Sequence, residues 1–155
     1  MKLKVLWPGK IRNDAVRQLQ EFYLNRINQL AQCEIVVTRE AKGLLEKHAG
    51  RIKEIEARGL EKHIEDDYII CLFDKGKKMN SPEFSRFLKK AGESPARTVT
   101  FVAGGFLGLP ERILNRADFL LSLSSMTFSH ELIRIMLLEQ IYRSLSIVNG
   151  RQYAK

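Results

Sequence analysis

The chain has 155 residues, of which 45% are hydrophobic, and a formal net charge of +8. This length and composition predict one globular domain, residues 1–155, with a single core. No apolar run is long enough to span a bilayer, and the first one ends at Pro8-Gly9, too early for a signal peptide. The excess of Lys and Arg favours a polyanionic partner, usually nucleic acid, over a membrane surface.

Hydrophobic periodicity predicts an alternation of strands and helices along the chain. The first strand is expected at Lys2–Trp7, and a helix is expected to start near Asn13-Asp14. A β-branched run predicts a second strand at Cys33–Thr38. The charged stretch Arg39–His63, interrupted by glycines, has the weakest pattern.

The second half of the chain continues this alternation. A nearly continuous apolar run at Asp67–Phe73 predicts a parallel strand covered on both faces, with Asp74–Asn80 as its exit loop. Ser81 is the expected N-cap of a helix that runs to about Lys90. The remaining expected elements are a strand at Arg97–Val102, a short helix from Leu109-Pro110-Glu111, an extended segment at Ala117–Leu123, and a long helix from Ser129-His130 to about Val148. The alternation predicts an α/β fold, with a mainly parallel sheet flanked by helices.

Two segments of the C-terminal third are placed to enclose one small ligand. Gly104-Gly105-Phe106-Leu107-Gly108 follows a strand, and glycines let a backbone approach a ligand closely. The late position and the spacing of these glycines argue against a Rossmann dehydrogenase, and a tight turn without a ligand stays open. Ser122–Ser129 offers hydroxyl and backbone groups for an adenine edge, with Met126 and Phe128 to cover its face. The alternative for this segment is a capped helix entry, with Ser129 as the N-cap.

The long helix carries two further expectations. His130 lies in its first turn, where the positive helix end favours a neutral imidazole, in either a structural or a hydrogen-bonding role. From Leu132 to Ile147 the helix is apolar almost all the way round, so it must be buried on more than one side. In a chain this small, we expect the second covering surface to be a partner subunit in a homodimer.

The cysteines and histidines indicate no special chemistry. Cys33 and Cys71 lie in apolar, strand-like runs and are expected to be buried free thiols, which favours a reducing, cytoplasmic location. The three histidines show no ligand spacing with one another or with the cysteines, so no metal is expected.

The order of these residues resembles the SPOUT class of RNA methyltransferases, which use S-adenosyl-L-methionine. More closely, it resembles the ribosomal RNA large subunit methyltransferase H family, the pseudouridine N3-methyltransferases. The resemblance spans essentially the whole chain and rests on Lys2–Gly9, Leu72–Lys77, Gly104-Gly105-x-x-Gly108, Leu121–Ser124, Thr127, His130, Arg134, Glu139-Gln140, Tyr142-Arg143 and Ile147–Tyr153. It implies a trefoil knot over about residues 100–155, where the C-terminal chain passes through a loop.

The resemblance also implies a site and a substrate. S-adenosylmethionine would be held by Leu72, Gly104, Gly105, Gly108, Ser124, Ser125, Met126, Thr127, Phe128 and Ser129. The family forms homodimers and methylates a pseudouridine of large-subunit rRNA within the assembled ribosome. The positions that the resemblance implies on the RNA side are Arg134, Tyr142, Arg143 and the tail through Tyr153. Independently of the resemblance, Lys75, Lys77 and Lys78 of the exit loop follow a strand on the side where α/β proteins bind ligands, so they are either RNA contacts or simply solvated. His130 is the candidate base for the N3 proton, and Tyr153 is the second candidate.

Two positions depart from the family pattern. Phe73 stands where the family commonly has Asp, and Ala154 stands where its tail usually has His. These departures leave open an inactive RNA-binding module of the same fold. A methyltransferase acting on tRNA is the other alternative, although the lack of an appended RNA-binding domain favours a ribosomal target.

Overall fold

The computed structural model describes residues 1–96 and 98–153, and its centre is a five-stranded parallel sheet. The strands are β1 (Lys2–Pro8), β2 (Gln32–Thr38), β3 (Tyr68–Lys78), β4 (Thr98–Val102) and β5 (Phe119–Ser122). Their spatial order is β2-β1-β4-β3-β5, with parallel pairing between neighbours. The expected mainly parallel sheet is confirmed, while Arg97 of the predicted fourth strand lies outside the described residues. The trefoil knot stays a prediction.

Helices cover both faces of this sheet. They are α1 (Asp14–Asn28), α2 (Ala49–Glu61), α3 (Ser81–Gly92), α4 (Glu111–Leu114) and α5 (His130–Val148). Alternate residues of a strand point to opposite faces. Leu3, Val5 and Trp7 of β1 accordingly pack in a larger core with α1, α3 and α5, whereas Leu6 packs in a smaller one with α2 and α4.

The chain that follows the predicted third strand does not form a simple exit loop. β3 continues to Lys78, so the prediction of a loop at Asp74–Asn80 was wrong for all but its last two residues. The chain leaves the ladder with β5 after Leu72 and rejoins it at Lys77, opposite the same residue, Leu121. This pairing depends on a strand that lies far along the chain, and the local polarity around Lys77 does not reveal such a partner.

The start of α3 also differs by one residue from the prediction. Asn80, rather than Ser81, is the N-cap, and its side chain accepts a hydrogen bond from the Glu83 amide at 2.9 Å. The Glu83 carboxylate in turn accepts from the Asn80 amide at 2.8 Å. This reciprocal capping box satisfies two amides of the first turn, which explains why the helix begins at Ser81.

Both cysteines are buried free thiols, as expected. Burial raises the pKa of Cys33 and of Cys71 to about 12, because the thiolate is poorly solvated in the core. Since the thiolate is the reactive form, we expect neither thiol to react with a disulfide-exchange reagent in the folded protein at about pH 8. Mass spectrometry should find both labelled once guanidinium chloride unfolds the chain. Rapid labelling of the native protein would contradict this burial.

The long helix α5 begins where the sequence predicts. Ser129 is its N-cap and accepts a hydrogen bond from the Leu132 amide at 3.3 Å. Over residues 1–96 and 98–153, no helix has the length and apolar character required to cross a bilayer. Several apolar side chains of α5 stay exposed nonetheless, among them Leu132, Ile147 and Val148.

Candidate ligand site at the carboxyl edge of the sheet

A cavity of about 580 Å³ lies where β3, β4 and β5 end. Its volume falls within the ~300–1,000 Å³ of small-molecule sites, and the carboxyl edge of a parallel sheet is where α/β proteins bind ligands. The structure brings almost all of the predicted cofactor residues into its wall, namely Leu72, Gly104, Gly105, Gly108, Ser124, Ser125, Met126, Thr127 and Phe128. Ser129 is not in this wall, because its side chain caps α5.

In the glycine loop after β4, Gly104 and Gly105 lie too close to neighbouring atoms for a side chain to be added without a shift. A Cβ on Gly104 would lie 2.7 Å from the carbonyl oxygen of Gly108, and one on Gly105 would lie 2.9 Å from Oε2 of Glu56. The Gly108 amide donates to the Gly105 carbonyl at 3.0 Å, and Gly108 has a φ of +76°. The backbone at Gly104 and Gly105 therefore packs directly against that of Gly108. Main-chain atoms of these three residues lie at the cavity.

The segment after β5 is shaped by its own hydroxyl groups. Ser122 Oγ donates to the Ser124 carbonyl at 3.0 Å, and Ser124 Oγ accepts from the Met126 amide at 2.9 Å. These bonds hold a turn that leaves Met126 74% exposed at the cavity wall. An exposed thioether here can pack on the flat face of a bound ring.

His130 enters the same cavity wall from the first turn of α5. Burial lowers the pKa of His130 below its ordinary value, and the nearby positive charge of Arg134 lowers this pKa further. The imidazole is therefore neutral at neutral pH and has a free nitrogen that can accept a proton.

We expect His130 to titrate below 6.5 in the folded protein. An unfolded chain binds the proton first as the pH falls, so this histidine contributes stability above about pH 6.5 that is lost at lower pH. NMR titration of the imidazole signals, assigned with His130→Gln, measures the pKa. The same variant should lose less stability than the wild type on acidification through this range, and a pKa above 6.5 would refute the expectation.

Arg134 is not available to RNA in this structure, which corrects the prediction made for it. Its side chain is only 1% exposed and donates to the carbonyl oxygens of Pro8 at 2.7 Å, Gly9 at 3.0 Å and Gly104 at 3.4 Å. Burial lowers its pKa to about 10. The guanidinium fork instead ties α5 to the end of β1 and to the glycine loop.

The structure does not bring Tyr153 to the cavity within one chain. Its ring packs edge-on against Tyr142, with centroids 4.9 Å apart, and the Arg143 guanidinium lies 4.3 Å from its centre. Burial raises the pKa of Tyr153 to about 12, so the phenol stays protonated at neutral pH. Of the two candidate bases, His130 alone lies at the cavity. Ala154, the departure from the family tail, lies outside the described residues.

Lysines are frequent in the last part of β3, and the final one, Lys78, lines the cavity. Lys75 and Lys77 are exposed at the end of β3, as an RNA contact requires. Lys53 of α2 also lines the cavity, as does Phe73, whose apolar ring stands where the resemblance implies Asp. Lys53 and the buried Glu56 were not predicted from sequence, since both lie in the charged stretch that carries no motif. Within residues 1–96 and 98–153, no three His, Cys, Asp or Glu side chains are grouped as a metal site.

Comparison with known sequences covers the whole chain. A family model described as "Predicted SPOUT methyltransferase" matches residues 1–154. The chain is 37% identical over 159 aligned positions to the ribosomal RNA large subunit methyltransferase H of Clostridium kluyveri, with 100% of both chains covered. It is 38% identical over 154 positions to the protein of the same name from Geobacter metallireducens, covering 99% of this chain and 98% of that one.

Two solved structures share the fold at low sequence identity. A probable methyltransferase from Bordetella pertussis Tohama I gives a TM-score of 0.58 at 10% identity, covering 93% of this chain and 94% of that one. A probable methylase family protein from Haemophilus influenzae gives 0.56 at 9% identity, covering 99% and 70%. At such identity the likeness shows the fold alone.

The parallel sheet, its glycine loop and the cavity at its carboxyl edge define an α/β protein with a pocket of small-molecule size at that edge. The chain belongs to the SPOUT methyltransferase family, and within it to the ribosomal RNA large subunit methyltransferase H proteins. It is therefore a methyltransferase, and the resemblance noted from its motifs is confirmed.

Proposed function

We propose that this protein transfers a methyl group from S-adenosylmethionine to N3 of a pseudouridine in large-subunit ribosomal RNA, on the assembled ribosome in the cytoplasm. The observation that carries the proposal is the cavity that collects the glycine loop, the serine segment and His130. The names of the curated relatives support a ribosomal RNA substrate.

The residues of the cavity fit the chemistry of S-adenosylmethionine. The segment Ser122–Phe128 has main-chain groups at the cavity wall that can bind the adenine edge, while Met126 and Phe128 offer apolar surfaces for its faces. When bound, the cofactor supplies an electrophilic methyl group on a sulfonium. The protein's main contribution is then to hold the two reactants in line.

His130 is the group we assign to the proton of the target base. N3 of a uracil-type base carries a proton that must leave as the new bond forms, and a nearby acceptor assists this step. His130 lies at the cavity, and burial lowers its pKa, so its ring is unprotonated and able to accept. Tyr153 packs elsewhere in the same chain, against Tyr142.

A homodimer is part of the proposal. α5 is rich in apolar residues, and three of them stay substantially exposed: Leu132 at 40%, Ile147 at 44% and Val148 at 41%. Exposed apolar side chains on one helix are typical of an interface between subunits. Tyr142, Arg143 and the chain through Tyr153 lie on this same helix and the segment after it, which keeps them as candidate RNA contacts in an assembled site.

The exposed lysines at the end of β3 should contact RNA phosphates. We expect Lys75→Gln with Lys77→Gln to weaken binding and to lower the slope of log affinity against log salt by about 1 for each phosphate that the protein no longer neutralises. Filter binding of a large-subunit stem-loop RNA over a salt series measures this slope. Lys89→Gln with Lys90→Gln is the control, since these exposed lysines end α3 near the opposite, amino edge of the sheet. Equal slopes for both pairs would contradict the assignment.

The direct test is transfer of labelled methyl from S-adenosylmethionine to ribosomes that lack this modification, with the nucleotide mapped by mass spectrometry. Label on one large-subunit pseudouridine supports the proposal, and Gly105→Trp should abolish it by filling the cofactor loop. If the protein bound S-adenosylmethionine but did not label ribosomes, the assignment of ribosomal RNA as the substrate would be wrong, and tRNA would be the favoured alternative. A protein that binds no S-adenosylmethionine would be the inactive RNA-binding module.

A further inference from the structure

Glu56 of α2 is a buried acidic residue that lies against the backbone of the glycine loop. Its side chain is 4% exposed, and its Oε2 lies 2.9 Å from the position of a Cβ on Gly105. Burying a carboxylate is costly unless it is compensated, so a protein has little reason to keep one here without a use. Glu56 is not among the residues that line the cavity, and the methyl-transfer steps above do not use it.

Two groups compensate this buried carboxylate. Burial raises the pKa of Glu56, and this rise is opposed by a hydrogen bond from the Ala41 backbone and by the positive charge of Arg134. Arg134 also donates to the carbonyl of Gly104 at 3.4 Å. The two charged side chains therefore reach adjacent residues of the loop, Arg134 at Gly104 and Glu56 at Gly105.

We propose that Glu56 is a positioning residue for the cofactor loop, whose carboxylate fills the space beside Gly105 and, with Arg134, holds the loop in its binding conformation. The inference rests on the proposed cofactor site. It adds that a residue of α2, which packs against the loop, determines the shape of that site. The Glu56 side chain occupies the space that a side chain at Gly105 would need. A side chain at Gly105 would need the Glu56 carboxylate to shift, and removing the carboxylate would leave space into which the loop can relax.

The test compares the wild type with Glu56→Ala, Gly105→Ala and the double variant. In the ligand-free proteins, hydrogen exchange of the Gly108 amide, which donates to the Gly105 carbonyl, should rise at least ~10-fold in Glu56→Ala, because the loop loses its support. By calorimetry with S-adenosylmethionine, Gly105→Ala alone should bind at least ~10-fold more weakly, through overpacking. The double variant should recover most of this affinity, because the added methyl group then has room.

Glu56→Gln separates positioning from chemistry. It keeps the side-chain volume and should therefore raise the KM for S-adenosylmethionine less than Glu56→Ala does. At saturating cofactor, the kcat of both variants should stay within ~2-fold of the wild type, because an interaction that only shapes the binding site leaves the reacting groups unchanged.

Glu54→Ala is the matched control on the same helix. Glu54 points to the surface, where it pairs with Arg112 at 2.8 Å, so its loss should change neither loop exchange nor cofactor affinity. Wild-type exchange in Glu56→Ala, or a double variant that binds no better than Gly105→Ala, would overturn the inference. A wild-type protein that binds no S-adenosylmethionine would overturn the proposed function instead, and the exchange data would still decide the role of Glu56.

Discussion

Gly104→Ala should severely weaken cofactor binding and, with it, methyl transfer. The added Cβ would lie 2.7 Å from the carbonyl oxygen of Gly108 and 2.8 Å from its Cα. Both are backbone atoms of a residue held at a φ of +76°, so the loop can relieve the clash only by opening. We expect a loss of about 1–3 kcal/mol in the free energy of unfolding from overpacking. The affinity for S-adenosylmethionine should fall by at least ~100-fold, since misplaced binding groups are costly.

Calorimetry with S-adenosylmethionine and urea unfolding measure these two effects separately. Gly50→Ala is the control, because no atom lies within 4 Å of the Cβ position at Gly50 in the first turn of α2. This substitution should leave affinity unchanged and stability unchanged or slightly raised. If Gly104→Ala bound the cofactor as tightly as Gly50→Ala does, the backbone packing of the loop would not determine the site.

The elements that could be predicted from sequence are those whose signals are local. The apolar run of β3 up to Leu72 and the Ser129 cap of α5 each depend on residues close together in the chain, and each is found where expected. Asn80 and Ser81 are both good N-cap residues, so composition alone could not choose between them. The capping box with Glu83 decides for Asn80.

The parts that could not be predicted depend on contacts between distant segments. The end of β3 is stabilised by pairing of Lys77 with Leu121, which no helical or strand pattern near Lys77 indicates. Glu56 and Arg134 are charged residues that local reasoning assigns to the surface, since such side chains are rarely fully buried unless paired. Only the packed structure shows that both lie against the glycine loop. The wall of the cavity was accessible to sequence reasoning because its residues carry a family motif.

Arg134→Met should destabilise the protein by at least about 3 kcal/mol, because each buried carbonyl left without a donor costs about 1–3 kcal/mol. The side chain is 1% exposed and donates to three backbone carbonyls, which would be left without partners in the interior. Urea unfolding measures the loss. Arg134→Lys should recover only part of it, because an ammonium cannot reproduce the planar fork that reaches Pro8, Gly9 and Gly104 together.

Arg17→Met provides the control for the loss of a cation as such. Arg17 pairs with Asp14 at the surface, with side chains 52% and 79% exposed, and a pair of this kind contributes about 0–1 kcal/mol. The difference between the two variants therefore isolates burial and backbone contacts from charge. Since Arg134 joins the end of β1 to the glycine loop, its loss should also weaken cofactor binding, which Arg17→Met should leave unchanged. If Arg134→Met lost as little unfolding free energy as Arg17→Met, the three carbonyl oxygens would have to be hydrated in the variant. The loop would then not depend on this guanidinium.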